Sequence, residues 1–196
     1  MVVANSLPAE FDRGVVTTIH QGDCAVSGEL DLTYSTVLGS CVSACVRDRV
    51  ASIGGMNHFL LAEQPGGGRD QYGASARYGA FAMEQLLNMV LSRGTGRKAN
   101  LDIKVFGGGN INTALNDVGA RNVEFVRAFL ANEGYELAGA DVGGNYARRV
   151  LFKPHSGRAF VKRLESADNA RVADEELVLA KRRFVAKPPV DDIELF

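Results

Sequence analysis

The sequence predicts a mixed α and β domain, an α+β fold, and three observations predict it. Short apolar runs rich in β-branched residues, such as 15–19 and 103–106, are bounded by glycine, proline and polar turns, as strands are. Two longer stretches space their apolar residues three and four apart, the period of a helix with one buried face. The chain has 196 residues, 46% hydrophobic and 23% charged, enough apolar material to bury a core with no disulfide or metal staple.

In chain order, residues 1–14 carry Pro8 and little periodicity and read as an N-terminal lead-in. The run 15–19 is a first strand, and a second lies near 30–37. Segments 41–46 and 52–61 are short and apolar, with the polar Arg47-Asp48-Arg49 between them, so a hairpin is expected. Pro65 and Gly66-Gly67-Gly68 make 62–73 an exposed loop. Residues 74–93 form the clearest helix: Tyr78, Phe81, Leu86, Met89 and Val90 recur at helical spacing, and Gly94 stops it. The strand 103–106 then runs into Gly107-Gly108-Gly109, which reads as a turn, with lining of a site as the alternative. It lacks the GxxxxGK[ST] pattern of a phosphate cradle.

Asn122 is the expected N-cap of a second helix that carries Val126, Phe129 and Leu130 on one face and ends at Gly134. Residues 135–142 and 147–164 read as strands, the latter pair turning at Pro154-His155-Ser156-Gly157. A single domain is thus expected over 15–164. Beyond Leu164 the composition changes to a charged stretch, Pro188-Pro189 and an acidic end, read as an appendage over 165–196 with a disordered terminus.

Bulk properties exclude several functions. With 22 basic and 23 acidic residues the net charge is −1, which gives no general attraction to nucleic acid or an anionic membrane. No apolar run reaches the roughly 18 residues of a membrane span, and the N-terminus lacks the pattern of a secretory signal. The three cysteines, Cys24, Cys41 and Cys45, are then expected as reduced thiols in the cytoplasm.

Cys41 follows Gly39-Ser40 at the end of an apolar run, where glycine permits a tight turn and close approach of a substrate. A nucleophilic thiol needs such access and a neighbour that favours the thiolate. A hairpin turning around Asp48 to Ala51 sets His58 directly opposite Cys41, and a one-residue slip would send the imidazole to the other face. A buried structural cysteine and a hydrogen-bonded structural histidine remain the alternative reading of this pair, and the reading preferred for Cys24 and Cys45. A metal site from Cys41, Cys45 and His58 with His20 or His155 has no standard zinc spacing, so no metal and no cofactor is expected.

The segments TVLGSCVSACV and GGMNHFLL resemble the signature of the chemoreceptor glutamine deamidases, the CheD family, including a histidine seventeen residues after the cysteine. YGAFAMEQLLNMVLSRG, LDIKVFGGG, VGARNVEFVRAFLANEGYELAGADVGG and RRVLFKPHSGRAFVKRL continue the resemblance in order, across about residues 15–164. It implies a cysteine hydrolase fold, a mixed β-sheet sandwich with flanking helices. It also implies Cys41 as nucleophile, His58 as acid/base, and a third catalytic hydroxyl six places before the cysteine. That place holds Ser35, with Thr36 immediately after it as the alternative. Backbone N–H groups at Ser40 and Cys41 are the expected oxyanion donors. The implied substrates are glutamines on the cytoplasmic helices of chemoreceptors, converted to glutamate with release of ammonia, and the implied partner is a phosphatase of the CheC family. The competing expectation is a non-catalytic regulator that binds receptors or that phosphatase.

Overall fold

Strand alternation sorts the chain into two sheets that share one interior. The computed structural model describes residues 2–3, 8–11, 14–61, 74–111, 117–165, 168–169, 171–175 and 178. One five-stranded sheet runs, in spatial order, β1 (Val2–Val3), β10 (Ala159–Arg163), β9 (Arg148–Phe152), β4 (Leu32–Leu38) and β2 (Val15–Thr18). The other runs β3 (Cys24–Ser27), β6 (Ile53–Asn57), β5 (Val42–Asp48), β7 (Leu101–Gly107) and β8 (Leu137–Val142). Both are mixed: β1–β10, β2–β4 and β7–β8 pair in parallel and the other neighbours antiparallel.

The period of two in each strand gives each face one job. Tyr34, Leu38, Val150, Phe152 and Val161 of the first sheet meet Cys45, Met56 and Phe106 of the second in one buried cluster. The alternate residues of the second sheet, Val42, Ala44, Val46, Ile103 and Val105, face outward under two helices. These are α1 (Ala74–Arg93) and α2 (Val118–Asn132), which contribute Met83, Leu86, Val90, Val126 and Leu130. Each of these side chains is buried to within a few per cent of completely, which stabilises the fold by about 1.5–3 kcal/mol apiece. The result is a three-layer arrangement of sheet, sheet and helices, the sandwich with flanking helices that the sequence implied.

Several local features differ from expectation. Val2–Val3 pairs with Phe160 and Val161, adding a short strand inside the stretch read as a lead-in. The four-residue β3 is too short to show a period and went unpredicted. Asn122 does not cap α2: the helix starts at Val118, and the capping position is Asp117, in the left-handed region at φ 56° with no side-chain cap bond. The loop 62–73 and most of the appendage over 165–196 lie outside the described residues, although 171–175 and 178 are helical. Val172 and Ala173 are buried there, and Asn169 accepts a 2.8 Å hydrogen bond from the Ala147 N–H, so this segment is docked on the domain.

Candidate active site

The hairpin of β5 and β6 carries the thiol and the imidazole, and its turn fixes their relation. The turn is four residues long, 49–52, closed by the pair Asp48–Ile53, with Ser52 in the left-handed region at φ 55°. Asp48 builds it: Oδ1 accepts the Val50 and Ala51 N–H groups at 3.0 Å each, and Oδ2 accepts the Thr95 N–H at 2.7 Å and its hydroxyl at 2.6 Å. Burial opposes ionisation of this carboxyl, but the Thr95, Ala51 and Val50 donors outweigh it and hold the pKa down at about 2.

The resulting register pairs Cys45 with Met56 and Val42 with Phe59. Cys41 therefore stands opposite Leu60, and not opposite His58 as a shorter turn would place it. The correction is a shift of two residues, so the face is conserved. Cys41 and His58 become diagonal neighbours on one face, still within reach of each other in an antiparallel pair. Both line one cavity of about 340 Å³, together with Thr36 and Gln21.

His58 sits where the β5–β6 ladder opens. The Ala44 N–H, which regular pairing would give to the Asn57 carbonyl, donates instead to Asn57 Oδ1 at 2.8 Å, and the Asn57 amide donates onward to Ala82 O at 2.9 Å. The backbone of His58 turns to the other side. Its N–H donates to Asp23 O at 3.1 Å, and its carbonyl accepts the Gly22 N–H at 2.7 Å. The ring is thereby carried to the rim of the sandwich, only 7% exposed.

The third group comes from the opposite sheet. Thr36 Oγ1 lies 2.9 Å from His58 Nδ1 and donates to Ile19 O at 2.7 Å. A hydroxyl has one proton, and a carbonyl can only accept it. The oxygen must then accept at the imidazole, which places the ring proton on Nδ1 and the lone pair on Nε2. Ser35 is the neighbour on β4, so its side chain points to the other face of the sheet. Its carbonyl accepts the Ile19 N–H at 2.8 Å, which helps hold Ile19 where Thr36 needs it. Between the two hydroxyls the sequence left open, the one on the imidazole is that of Thr36.

The Cys41 loop is held from behind by backbone. Gly109 N–H donates to Gly39 O, and Gly108 N–H to Cys41 O, each at 2.7 Å. Gly107 has φ 104°, and a Cβ there would lie 2.1 Å from Cys41 O. No other residue tolerates both that conformation and that approach. The triple glycine therefore cradles the Cys41 loop from the far side of the chain, a role that the reading as a turn missed. Sequence reasoning also missed Asn122, whose amide donates to Ser40 O at 2.7 Å and accepts the Leu61 N–H at 2.9 Å.

Cys41 itself is fully buried, with Sγ 3.8 Å from Gln21 Oε1. The cavity beside it is walled in part by Val172 and Glu175 of the docked C-terminal segment. The other two thiols are set apart. Burial raises the Cys24 pKa to about 11, and burial pushes Cys45 higher still, against smaller opposing effects of Lys104 and Ser43. His20 is exposed and lines the same cavity as Cys41 and His58, whereas His155, with Nδ1 2.9 Å from Gly28 O, lies elsewhere in the fold. Among the described residues no three His, Cys, Asp or Glu side chains converge as a metal site requires, and no helix is long and apolar enough to cross a membrane.

Comparison with known proteins gives a consistent set of relatives. Residues 60–163 match the family model described as CheD chemotactic sensory transduction, a span that begins just past His58. The chain is 45% identical over 159 residues to a probable chemoreceptor glutamine deamidase CheD of Hahella chejuensis, covering 81% of this chain and 74% of that one. It is 43% identical over 190 residues to a protein of the same description from a Ruegeria species, covering 95% and 98%. A third, from Methylobacillus flagellatus, is 45% identical over 170 residues, covering 85% and 82%.

Proposed function

The chain belongs to the CheD family, and from that premise we propose that it is a protein-glutamine deamidase acting on chemoreceptor helices through Cys41, His58 and Thr36. The single observation that carries the catalytic assignment is the Thr36–His58 hydrogen bond, made inside the cavity that Cys41 also lines. It supplies an imidazole whose Nε2 is the basic nitrogen, oriented by a buried hydroxyl that is itself committed to Ile19.

A carboxamide is a poor electrophile, so the reaction is divided into two steps through a thioester. His58 Nε2 takes the Cys41 thiol proton, and the thiolate attacks the carboxamide carbon of a substrate glutamine. The resulting oxyanion is met by backbone N–H groups at Ser40 and Cys41. The imidazolium returns its proton to the departing nitrogen, and ammonia leaves. A water then gives a proton to His58 and attacks the thioester. Glutamate forms, and the thiol is restored. Thr36 accepts from Nδ1–H throughout and so keeps the proton-transfer nitrogen on the sulfur side, the service that the third member performs in other triads.

The test is incubation with the cytoplasmic helices of a chemoreceptor, followed by mass spectrometry for Gln converted to Glu and by ammonia release. Wild type converts defined glutamines, while Cys41→Ala and His58→Ala do not. Equal conversion by all three proteins refutes the assignment. A CheC-family phosphatase as binding partner rests on family resemblance alone. Co-purification of the two proteins at micromolar concentration supports it, and independent elution excludes it.

A further inference from the structure

Asn122 lies outside the triad, yet its position in α2 is unusual for a helical asparagine. It is fully buried and makes two bonds, neither to its own helix. Nδ2–H donates to Ser40 O at 2.7 Å, and Oδ1 accepts the Leu61 N–H at 2.9 Å. Ser40 immediately precedes the nucleophile, and Leu61 is three residues past the base. One side chain thus ties together the two chain segments that must stay in register for chemistry.

The Ser40 bond carries the further consequence. The carbonyl of Ser40 and the N–H of Cys41 belong to one planar trans peptide, in which the two groups point in opposite directions. Fixing the carbonyl on Asn122 fixes the direction of the N–H, away from α2. The peptides on either side are held in the same sense, by Gly109 N–H on Gly39 O and Gly108 N–H on Cys41 O. Those two clamps run from backbone to backbone. Of these three bonds, the one to Ser40 is made by a side chain.

Resting on the deamidase reading above, we propose that Asn122 is a positioning residue for catalysis: it sets the Ser40–Cys41 peptide so that the Cys41 N–H meets the oxyanion. Loss of this clamp loosens a donor without removing it. Since deleting an oxyanion donor outright costs about 100- to 1,000-fold in rate, loosening one is expected to cost about 10- to 100-fold. The effect falls on turnover, because the donor is engaged fully only when charge develops on the oxygen.

Asn122→Ala is tested in two assays on the full chain: deamidation of receptor helices, and alkylation of Cys41 by iodoacetamide, which builds no tetrahedral oxyanion. The expected result is kcat lower by about 10- to 100-fold with KM and the alkylation rate within about threefold of wild type. An unchanged kcat overturns the proposal, and so does alkylation that slows in parallel with deamidation, which marks a collapsed site. Asn122→Asp keeps the shape where the alanine variant does not fold. Its protonated carboxyl donates to Ser40 O and its carboxylate cannot, so its activity relative to wild type falls between about pH 5 and pH 9. A flat ratio at the wild-type level overturns the proposal. A wild type that leaves every glutamine intact is a different result: it removes the deamidase reading, and this inference with it.

Discussion

Replacing Thr36 with valine tests the tautomer argument directly, because the shape is kept and only the hydroxyl is lost. Two bonds go with it: the 2.7 Å donation to Ile19 O and the 2.9 Å contact with His58 Nδ1. Ile19 O also lies near Nδ1, but at 3.4 Å it is too long to replace what is lost. A net hydrogen bond in a protein contributes about 0.5–1.5 kcal/mol, so the reactive tautomer loses up to about tenfold in population. Freedom of the ring to turn adds to this, and kcat for glutamine deamidation is expected to fall by about 10- to 100-fold. Leaving the Ile19 carbonyl without its buried donor also costs about 1–3 kcal/mol of stability, readable as a lower urea midpoint. Thr36→Ser keeps the hydroxyl and is expected within about threefold of wild type, as is Ser35→Ala, whose side chain lies on the other face of β4. The reasoning is refuted if Ser35→Ala loses as much activity as Thr36→Val, or if Thr36→Val turns over at the wild-type rate.

Iodoacetamide near pH 7 is expected to label Cys41 before the other thiols, since burial raises Cys24 to about 11 and Cys45 further; peptide mapping that finds Cys24 labelled as fast contradicts the assignment of the nucleophile. Deleting residues 171–196 removes the Val172 and Glu175 wall of the cavity, and the Cys41 alkylation rate is expected to rise severalfold; an unchanged rate shows that this wall does not limit access. Asp48 has a folded pKa near 2 against an unfolded value of about 3.9, so its ionised form contributes stability that is present above pH ~4 and lost as pH falls through about 2. The melting temperature of Asp48→Asn should accordingly lie below wild type at neutral pH and converge with it in acid. A gap independent of pH excludes the carboxylate as the source.

What the sequence made legible follows the range of the interactions involved. The helix at 74–93 was readable because its own period records the face it buries, and α1 spans Ala74–Arg93. The strands from 15–19 to 103–106 were readable as local runs, whereas Cys24–Ser27 and Val2–Val3 were too short to carry a period and exist through pairing with β6 and β10. The direct pairing of Cys41 with His58 failed by two residues because Asp48 closes a four-residue turn, a bond pattern that depends on Thr95 forty-seven positions away. The choice between Ser35 and Thr36 needed only the facing of β4, which depends on whether its inner residues are odd or even. That was not readable where 32–38 is buried at nearly every position. Asn122 looked like a cap because asparagine before an apolar face usually is one. Its actual partners lie 82 and 61 residues away.

Those long-range bonds explain why the site forms where it does. The thiol and imidazole belong to the sheet that carries the helices, while the orienting hydroxyl belongs to the other sheet, across the shared interior. Neither layer holds a complete triad. The Cys41 loop is further fixed by Gly108 and Gly109 at the end of β7 and by Asn122 of α2, so all three layers contribute. A thiol on an isolated hairpin would have a flexible neighbour and no fixed tautomer, and catalysis by such a pair is lost to misorientation. Closing the sandwich supplies the orientation at no added cost during turnover, because the conformational entropy is spent in folding. Substitutions at the inter-sheet cluster, such as Val150 opposite Thr36 on β4, should thus lower kcat before they unfold the chain, since the Thr36–His58 bond spans the interface they loosen.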